Sequence, residues 1–286
     1  MGISVHRPES AEEAVRLKGQ DPDALFLAGG QTLVAMINAE LVVPAALISL
    51  DRIANLGGID THADGAVRIG AMTRHAEIAA SDRLIDGHAV IREAARVIAH
   101  PAIRNLGTIG GAVSHGDPNA DYPAALVAAD ARVEVLGSQG SREIAAGNFF
   151  KDFLTTDLKD GEMVTAVTLP ASPAGARSHY EKFARVDGDY ATVCVAVSVV
   201  MNANATVDWV RIAVGACGPR PVRVAAAEES LIGGALSYEA IQKAAQQIAA
   251  ACDPIDDVRG SADYRLLLVP RLIAKAVKAA GSGRGA

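Results

Sequence analysis

The chain has 286 residues, 50% of them apolar and 21% charged, which excludes global disorder and suits one large domain or two modest ones around a sizeable core. Its net charge is 27 − 33 = −6 and aromatics make up 4%, which argues against a polyphosphate partner held by bulk charge and against a stacked-base platform for single strands. Cys194, Cys217 and Cys252 form no C-x-x-C spacing, no apolar stretch approaches the roughly 20 residues of a membrane span, and no apolar signal core follows Met1, so a reduced, cytoplasmic protein that binds no nucleic acid is expected.

Ser10-Ala-Glu-Glu13 reads as a capping box that opens a helix to about Lys18. Ala24–Leu27 reads as a buried strand ended by Gly29-Gly30, Thr32 as the cap of a helix to about Glu40, and Ala46–Leu50 as another strand. This is a local α/β unit. A short strand at Val67–Ile69 leads to Gly70 and a helix capped by Thr73; a further helix covers His88–Ala99, closed by His100-Pro101. Glycines 107, 110, 111 and 116 mark the next stretch, ahead of a helix from about Tyr122 to Ala129. Arg132–Leu136 and Glu162–Leu169 read as strands on either side of a helical turn near Gly147–Phe153, and Pro170–Gly175 is the linker. Beyond it, Ser178–Val186, Thr192–Met201 and Thr206–Val214 read as antiparallel strands. In the last, Asp208, Val210, Ile212 and Val214 share one face, a period-two pattern for a sheet with one covered face. Helices near 223–232, 238–251 and 262–279 follow, with Pro270 kinking the last, and residues 282–286 form a flexible tail.

The chemistry concentrates at two glycine pairs. In Ala28-Gly-Gly-Gln-Thr32 adjacent glycines let backbone N–H groups converge, Thr32 adds a hydroxyl, and the following helix start adds positive potential. Thr108-Ile-Gly-Gly-Ala112 repeats the pattern. Each alone reads first as a tight turn; as a pair in one domain they suit equally a dinucleotide whose pyrophosphate lies between them. Neither is a G-x-G-x-x-G or a Walker A loop. Asp121 can accept hydroxyl protons of a polyol, whereas Asp117 reads as a solvated loop carboxylate. Lys182 shares a strand face with Tyr180, as either a snorkelling edge residue or a group aimed at a ligand. The histidines show no metal-binding spacing, there is no G-x-S-x-G, and Cys194 reads as inert packing. The chain holds a cofactor and has little acid–base machinery of its own.

Taken together, and about 80 residues apart, the two glycine segments resemble the paired FAD loops of molybdenum hydroxylase flavoproteins: the medium subunits of carbon monoxide dehydrogenase-type enzymes and the FAD domain of xanthine dehydrogenase. Ile69-Gly-Ala-Met-Thr73, His115–Asp121, Tyr180-Glu-Lys182 with Gly188–Thr192, and Gly215–Arg223 follow in the family's order, so the resemblance spans essentially the whole chain. It implies an α+β fold. A two-part FAD-binding domain (PCMH/vanillyl-alcohol-oxidase-like) covers 1–172, with parts at about 1–55 and 56–172. A smaller α+β C-terminal domain with an antiparallel sheet and helices covers 176–281.

The resemblance also implies roles. Ala28, Gly29, Gly30, Gln31, Thr32 and Leu33, with Thr108, Ile109, Gly110, Gly111 and Ala112, enclose the FAD pyrophosphate with backbone donors. Asp121 binds a cofactor hydroxyl, Val164 lines the pocket, Lys182 approaches the flavin and favours its anionic reduced form, and Tyr190 sits against the isoalloxazine ring. No catalytic side chain and no metal ligand is implied in this chain. The implied partners are a molybdopterin-binding large subunit and a small subunit with two 2Fe–2S clusters, assembled as a dimer of heterotrimers. Electrons then run from molybdenum through the clusters to this flavin and on to an external acceptor. Two features depart from some relatives: the cysteine-rich insertion for an extra 4Fe–4S cluster is missing, and Pro270 interrupts the last helix. A stand-alone FAD oxidoreductase with its own substrate pocket and a non-catalytic nucleotide-binding module are the other readings.

Overall fold

Ser10 caps the first helix, α1 (Ala11–Gln20), through a bond from the Glu13 amide to its hydroxyl oxygen at 3.1 Å. The Glu13 carboxylate accepts from the Glu9 amide at 3.0 Å, one residue earlier than in the reciprocal capping box. This is a computed structural model, and it describes residues 3–282; all of the expected tail beyond Ser282 lies outside the described residues. Strands β1 (Ser4–His6), β2 (Leu25–Leu27) and β3 (Ala46–Ser49) form a parallel sheet in the order β1-β3-β2, with α1 and α2 (Leu33–Asn38) as the crossovers. Ala11, Ala14 and Val15 of α1 pack on Ala46 and Ile48 of β3. Strand β2 is half-buried rather than buried, because Leu25 and Phe26 help to wall a cavity.

The second layer is an antiparallel sheet. Its strands are β4 (Ile59–Thr61), β5 (Val67–Gly70), β6 (Arg132–Gly137), β7 (Gly140–Ala145) and, after a small hairpin of β8 (Phe150–Asp152) and β9 (Thr155–Thr156), β10 (Met163–Leu169). The order is β4-β5-β10-β6-β7, with a register break between Val164 and Ala166. Leu136 and Met163 join the core beneath the first sheet and so fix the two sheets together. Helices α3 (His75–Ala80), α4 (Ala89–Arg96), α5 (Pro101–Arg104), α6 (Ile109–His115), α7 (Asp121–Ala128) and α8 (Ala146–Phe149) complete this half. Three local expectations change. Thr73 does not cap a helix, since its hydroxyl donates to the Gly58 carbonyl at 2.9 Å and Arg74 precedes α3. The helix expected through Ala99 ends at Arg96, where Ala99 turns at φ +41°, and Pro101 opens α5 instead of closing α4. The second glycine pair is no loop: it forms the first turn of α6.

Strands β11 (Ala176–Phe183), β12 (Val193–Met201) and β13 (Val207–Gly215) form an antiparallel sheet in that order, followed by α9 (Ala225–Glu229), α10 (Tyr238–Ala250) and α11 (Ala262–Ser282). The alternation expected in β13 holds, yet both faces are covered. Val193, Val195, Val197 and Val199 pack with Ile241, Val269 and Ile273 of the last two helices, at roughly 1.5–3 kcal/mol per buried side chain. On the other face Cys194, Ala196 and Ala213 join the core that holds α4 and α7. Small residues permit this: a Cβ on Gly215 would lie 2.7 Å from the Cys194 sulfur and 3.2 Å from Ala124 Cβ. Helix α11 is helical on both sides of Pro270.

Candidate functional site

The two glycine segments touch. A Cβ on Gly29 would collide with the Leu106 carbonyl oxygen and lie 2.8 Å from Gly107 Cα, so only glycine admits this approach. Gly30 turns at φ +72°, carrying the chain from β2 into α2. Along this turn Val34 N–H donates to Gly30 O and the Gln31 side-chain amide to Gly29 O. Among the described residues, the backbone amides of Gly29, Gly30, Gln31, Thr32 and Leu33 find no protein acceptor. The first amides of any helix lack intrahelical partners, and here the run extends back through Gly29, so five successive donors stand free of protein acceptors at one place.

The second segment is built differently. Ile109 N–H donates to Thr73 O at 3.1 Å, Gly110 N–H to Ala71 O at 2.8 Å and Ala112 N–H to Thr108 O at 3.1 Å. Thr108 caps α6, its hydroxyl oxygen accepting from Gly111 N–H at 3.3 Å. All four amides from 109 to 112 therefore have internal partners, while the Thr108 amide, like those of 29–33, finds no protein acceptor among the described residues. Gly110 is required by packing, since its Cβ would lie 2.5 Å from Ala71 Cβ, while Gly111 presents a bare backbone toward Ala28.

A cavity of about 830 Å³ lies between the segments. All of the expected site residues line it except Ile109, which is fully buried in the core, and Lys182. The Lys182 ammonium instead donates to the Asp121 carboxylate and to the Val97 carbonyl, each at 3.0 Å. Tyr180 donates to the other Asp121 oxygen at 2.8 Å. Burial raises the Asp121 pKa above the ordinary carboxylate value, opposed by the Lys182 charge and the two hydrogen bonds. Asp117, expected in solvent, lines the cavity too and accepts from the Asn119 amide at 2.8 Å. Val164 lines it at the register break of β10.

Several lining or supporting residues were not expected. His75 sits behind Gly107, 3.2 Å from the Tyr122 hydroxyl, and burial with the nearby Arg104 charge lowers its pKa to about 4, so it is neutral. Tyr180 was within reach of the sequence, because alternation puts it on the Lys182 face. Arg259 lines the cavity beside Tyr190, 69 positions away in the chain, and no spacing signal links the two. Cys194 is buried, and burial pushes its thiol up to about 12.

Residues 1–172 match the family described as the FAD binding domain in molybdopterin dehydrogenase, and residues 178–280 match the CO dehydrogenase flavoprotein C-terminal domain. The chain belongs to this family of FAD-binding oxidoreductase subunits. Among its relatives, the carbon monoxide dehydrogenase medium chain of Hydrogenophaga pseudoflava is 37% identical over 276 residues, 96% of each chain. The nicotine 6-hydroxylase medium subunit of Paenarthrobacter nicotinovorans is 38% identical over 275 residues, again 96% of each. The fold matches a carbon monoxide dehydrogenase from H. pseudoflava that lacks the Mo-pyranopterin moiety of its molybdenum cofactor. The TM-score is 0.94 at 38% identity, over 100% of this chain and 99% of that one. Within the described residues of this family member, no helix is long and apolar enough to cross a membrane.

Proposed function

We propose that the chain is the FAD-carrying electron-transfer subunit of a molybdenum hydroxylase complex. It takes electrons from 2Fe–2S clusters of a small partner subunit, which receives them from a molybdopterin-binding large subunit, and passes them to an external acceptor. Two such heterotrimers pair in the cytoplasm. The observation that carries this reading is the run of five acceptor-free amides, Gly29 to Leu33, facing the capped start of α6 across one cavity. FAD fits these residues: its diphosphate needs several donors at one point, and its length needs a cavity of this order.

In this reading the amides of 29–33 hold the diphosphate, and Thr108 with bare Gly111 forms the opposite wall. Asp121 accepts from a cofactor hydroxyl, and Val164 and Tyr190 line the flavin end. Lys182 acts through Asp121, orienting its carboxylate with Tyr180 as the second donor, and its charge opposes the rise that burial causes in the Asp121 pKa. Bound there, FAD supplies a carrier that accepts electrons singly and releases them one or two at a time. We divide the chain into an FAD-binding domain over 1–172, in parts at about 1–55 and 56–172, and a C-terminal domain over 176–281.

Support for partner chains comes from relatives named as medium chains or medium subunits. Among the described residues no three His, Cys, Asp or Glu side chains come together as a metal needs, and the reading puts molybdenum and iron–sulfur centres on the partners. The test is to purify the intact complex from its native host and add substrate. Flavin absorbance is expected to bleach with all three subunits present and to stay unchanged when the small subunit is missing. An FAD-loaded chain that substrate reduces without partners overturns the reading, as does a complex that neither contains nor takes up FAD.

A further inference from the structure

Tyr190 stands in the 184–192 connection between β11 and β12, a segment that enters no strand, and the residue is 40% exposed. A ring so placed has no packed core to fix it, yet it forms part of the cavity wall. The guanidinium carbon of Arg259 lies 5.1 Å from its centroid. Two carboxylates hold that guanidinium: Arg259 Nε donates to Asp189 Oδ1 at 3.3 Å, and Nη1 is 3.8 Å from Asp257 Oδ2. Asp189 Oδ1 also accepts from the Tyr190 amide at 2.7 Å, so one carboxylate ties the ring's own backbone to the cation above it.

The clamp continues inward. Asp257 and Gly260 close a small turn by exchanging backbone bonds at 3.2 Å, and Asp257 Oδ1 accepts from the Arg259 amide at 2.8 Å. The same oxygen accepts from Nη2 of Arg265, at 2.5 Å. Arg265 is 2% exposed on α11, and its Nη1 donates to the carbonyls of Thr192 at 2.6 Å and Ala216 at 2.8 Å. One buried guanidinium therefore fixes both the turn that carries Arg259 and the strand entry two residues beyond Tyr190. With its charge balanced by Asp189 and Asp257, Arg259 contributes little long-range field. Its effect is orientation.

We propose that Arg259 is a positioning residue that holds Tyr190 in the cavity wall, anchored through Asp257 to Arg265 of the last helix. The proposal rests on the FAD reading of the cavity. The test uses the FAD-loaded complex with Arg259→Met, Arg259→Lys, Tyr190→Ala and the double variant Arg259→Met/Tyr190→Ala. The readouts are the FAD dissociation constant and the visible absorbance of the bound flavin, with far-UV circular dichroism to confirm folding. Arg259→Met is expected to weaken FAD retention roughly three- to tenfold and to perturb the flavin spectrum, and Arg259→Lys to recover part of both. The double variant is expected to match Tyr190→Ala, because a residue acting through Tyr190 has nothing left to act on. Effects that multiply in the double variant overturn the proposal. So does an Arg259→Met protein with parental flavin properties beside a Tyr190→Ala protein that has lost them. A Tyr190→Ala protein with unchanged flavin overturns the placement of Tyr190 at the flavin, and the clamp's role with it.

Discussion

The two glycine segments look alike in sequence and differ in what their backbones can do. Between β2 and α2, Gly30 at φ +72° turns the chain so that five successive amides meet no protein acceptor. At the start of α6, carbonyls of Ala71 and Thr73 and the oxygens of Thr108 take up the amides of residues 109–112. The same residue pair thus serves two physical ends. One segment exposes a run of donors; the other keeps only the Thr108 amide free and removes bulk, letting α6 pack on Ala71 and leaving a bare wall at Gly111. A glycine pair announces close approach, and only the hydrogen-bond pattern shows whether the thing approached is a ligand or another part of the chain.

Breaking the first segment is expected to have the largest effect. Gly30→Val puts a β-branched side chain at positive φ, with its Cβ 3.1 Å from Val34, a strain of about 1–3 kcal/mol that is relieved only by turning the amides away. The protein is expected to fold, by circular dichroism, and to lose its FAD. Gly111→Val sharpens the contrast. Its Cβ would lie 3.2 Å from the Thr108 hydroxyl that caps α6 and 3.9 Å from Ala28 Cβ, so the protein is expected to fold with a modest loss at the cap while the side chain enters the cavity and displaces FAD by bulk. Stoichiometric flavin in both variants places the diphosphate elsewhere.

The last expected effect touches stability and leaves FAD binding alone, and it belongs to a side chain that backs the second segment. Burial holds His75, behind Gly107, to a pKa of about 4, below its unfolded value near 6.5. As pH falls, the unfolded chain takes this proton first. The His75 contribution is fully present above about pH 6.5 and is lost as pH drops toward 4, at most roughly 3 kcal/mol. Thermal midpoints measured at pH 7 and pH 4.5 are expected to fall further in the parent than in His75→Gln. Equal falls contradict a neutral, buried His75.

Much of this architecture is legible from local patterns. The alternation of β13, the long helices α10 and α11 and the strand–glycine–helix unit at 25–38 all follow from periodicity and capping. What escaped needed tertiary information. Strands β1 and β4 are three residues each and exposed or half-exposed, so no apolar run marks them. Helix α6 carries two glycines in its first turn, which reads as a loop until Ala71 and Thr73 supply acceptors from the preceding segment. At the site, Asp121 and Tyr190 could be inferred by resemblance. Arg259 could not, because its link to Tyr190 is a contact between two loops with no periodic relation. Lys182 shows the limit in the other direction: its strand face was right, and the group it meets is Asp121.

Backbone hydrogen–deuterium exchange, compared with and without FAD, tests the distinction between the two segments most directly. Amides 29–33 are expected to exchange fast without FAD and to slow strongly when it binds, while amides 109–112 are slow in both states. Fast exchange at 109–112 that FAD suppresses, with 29–33 unaffected, contradicts the account.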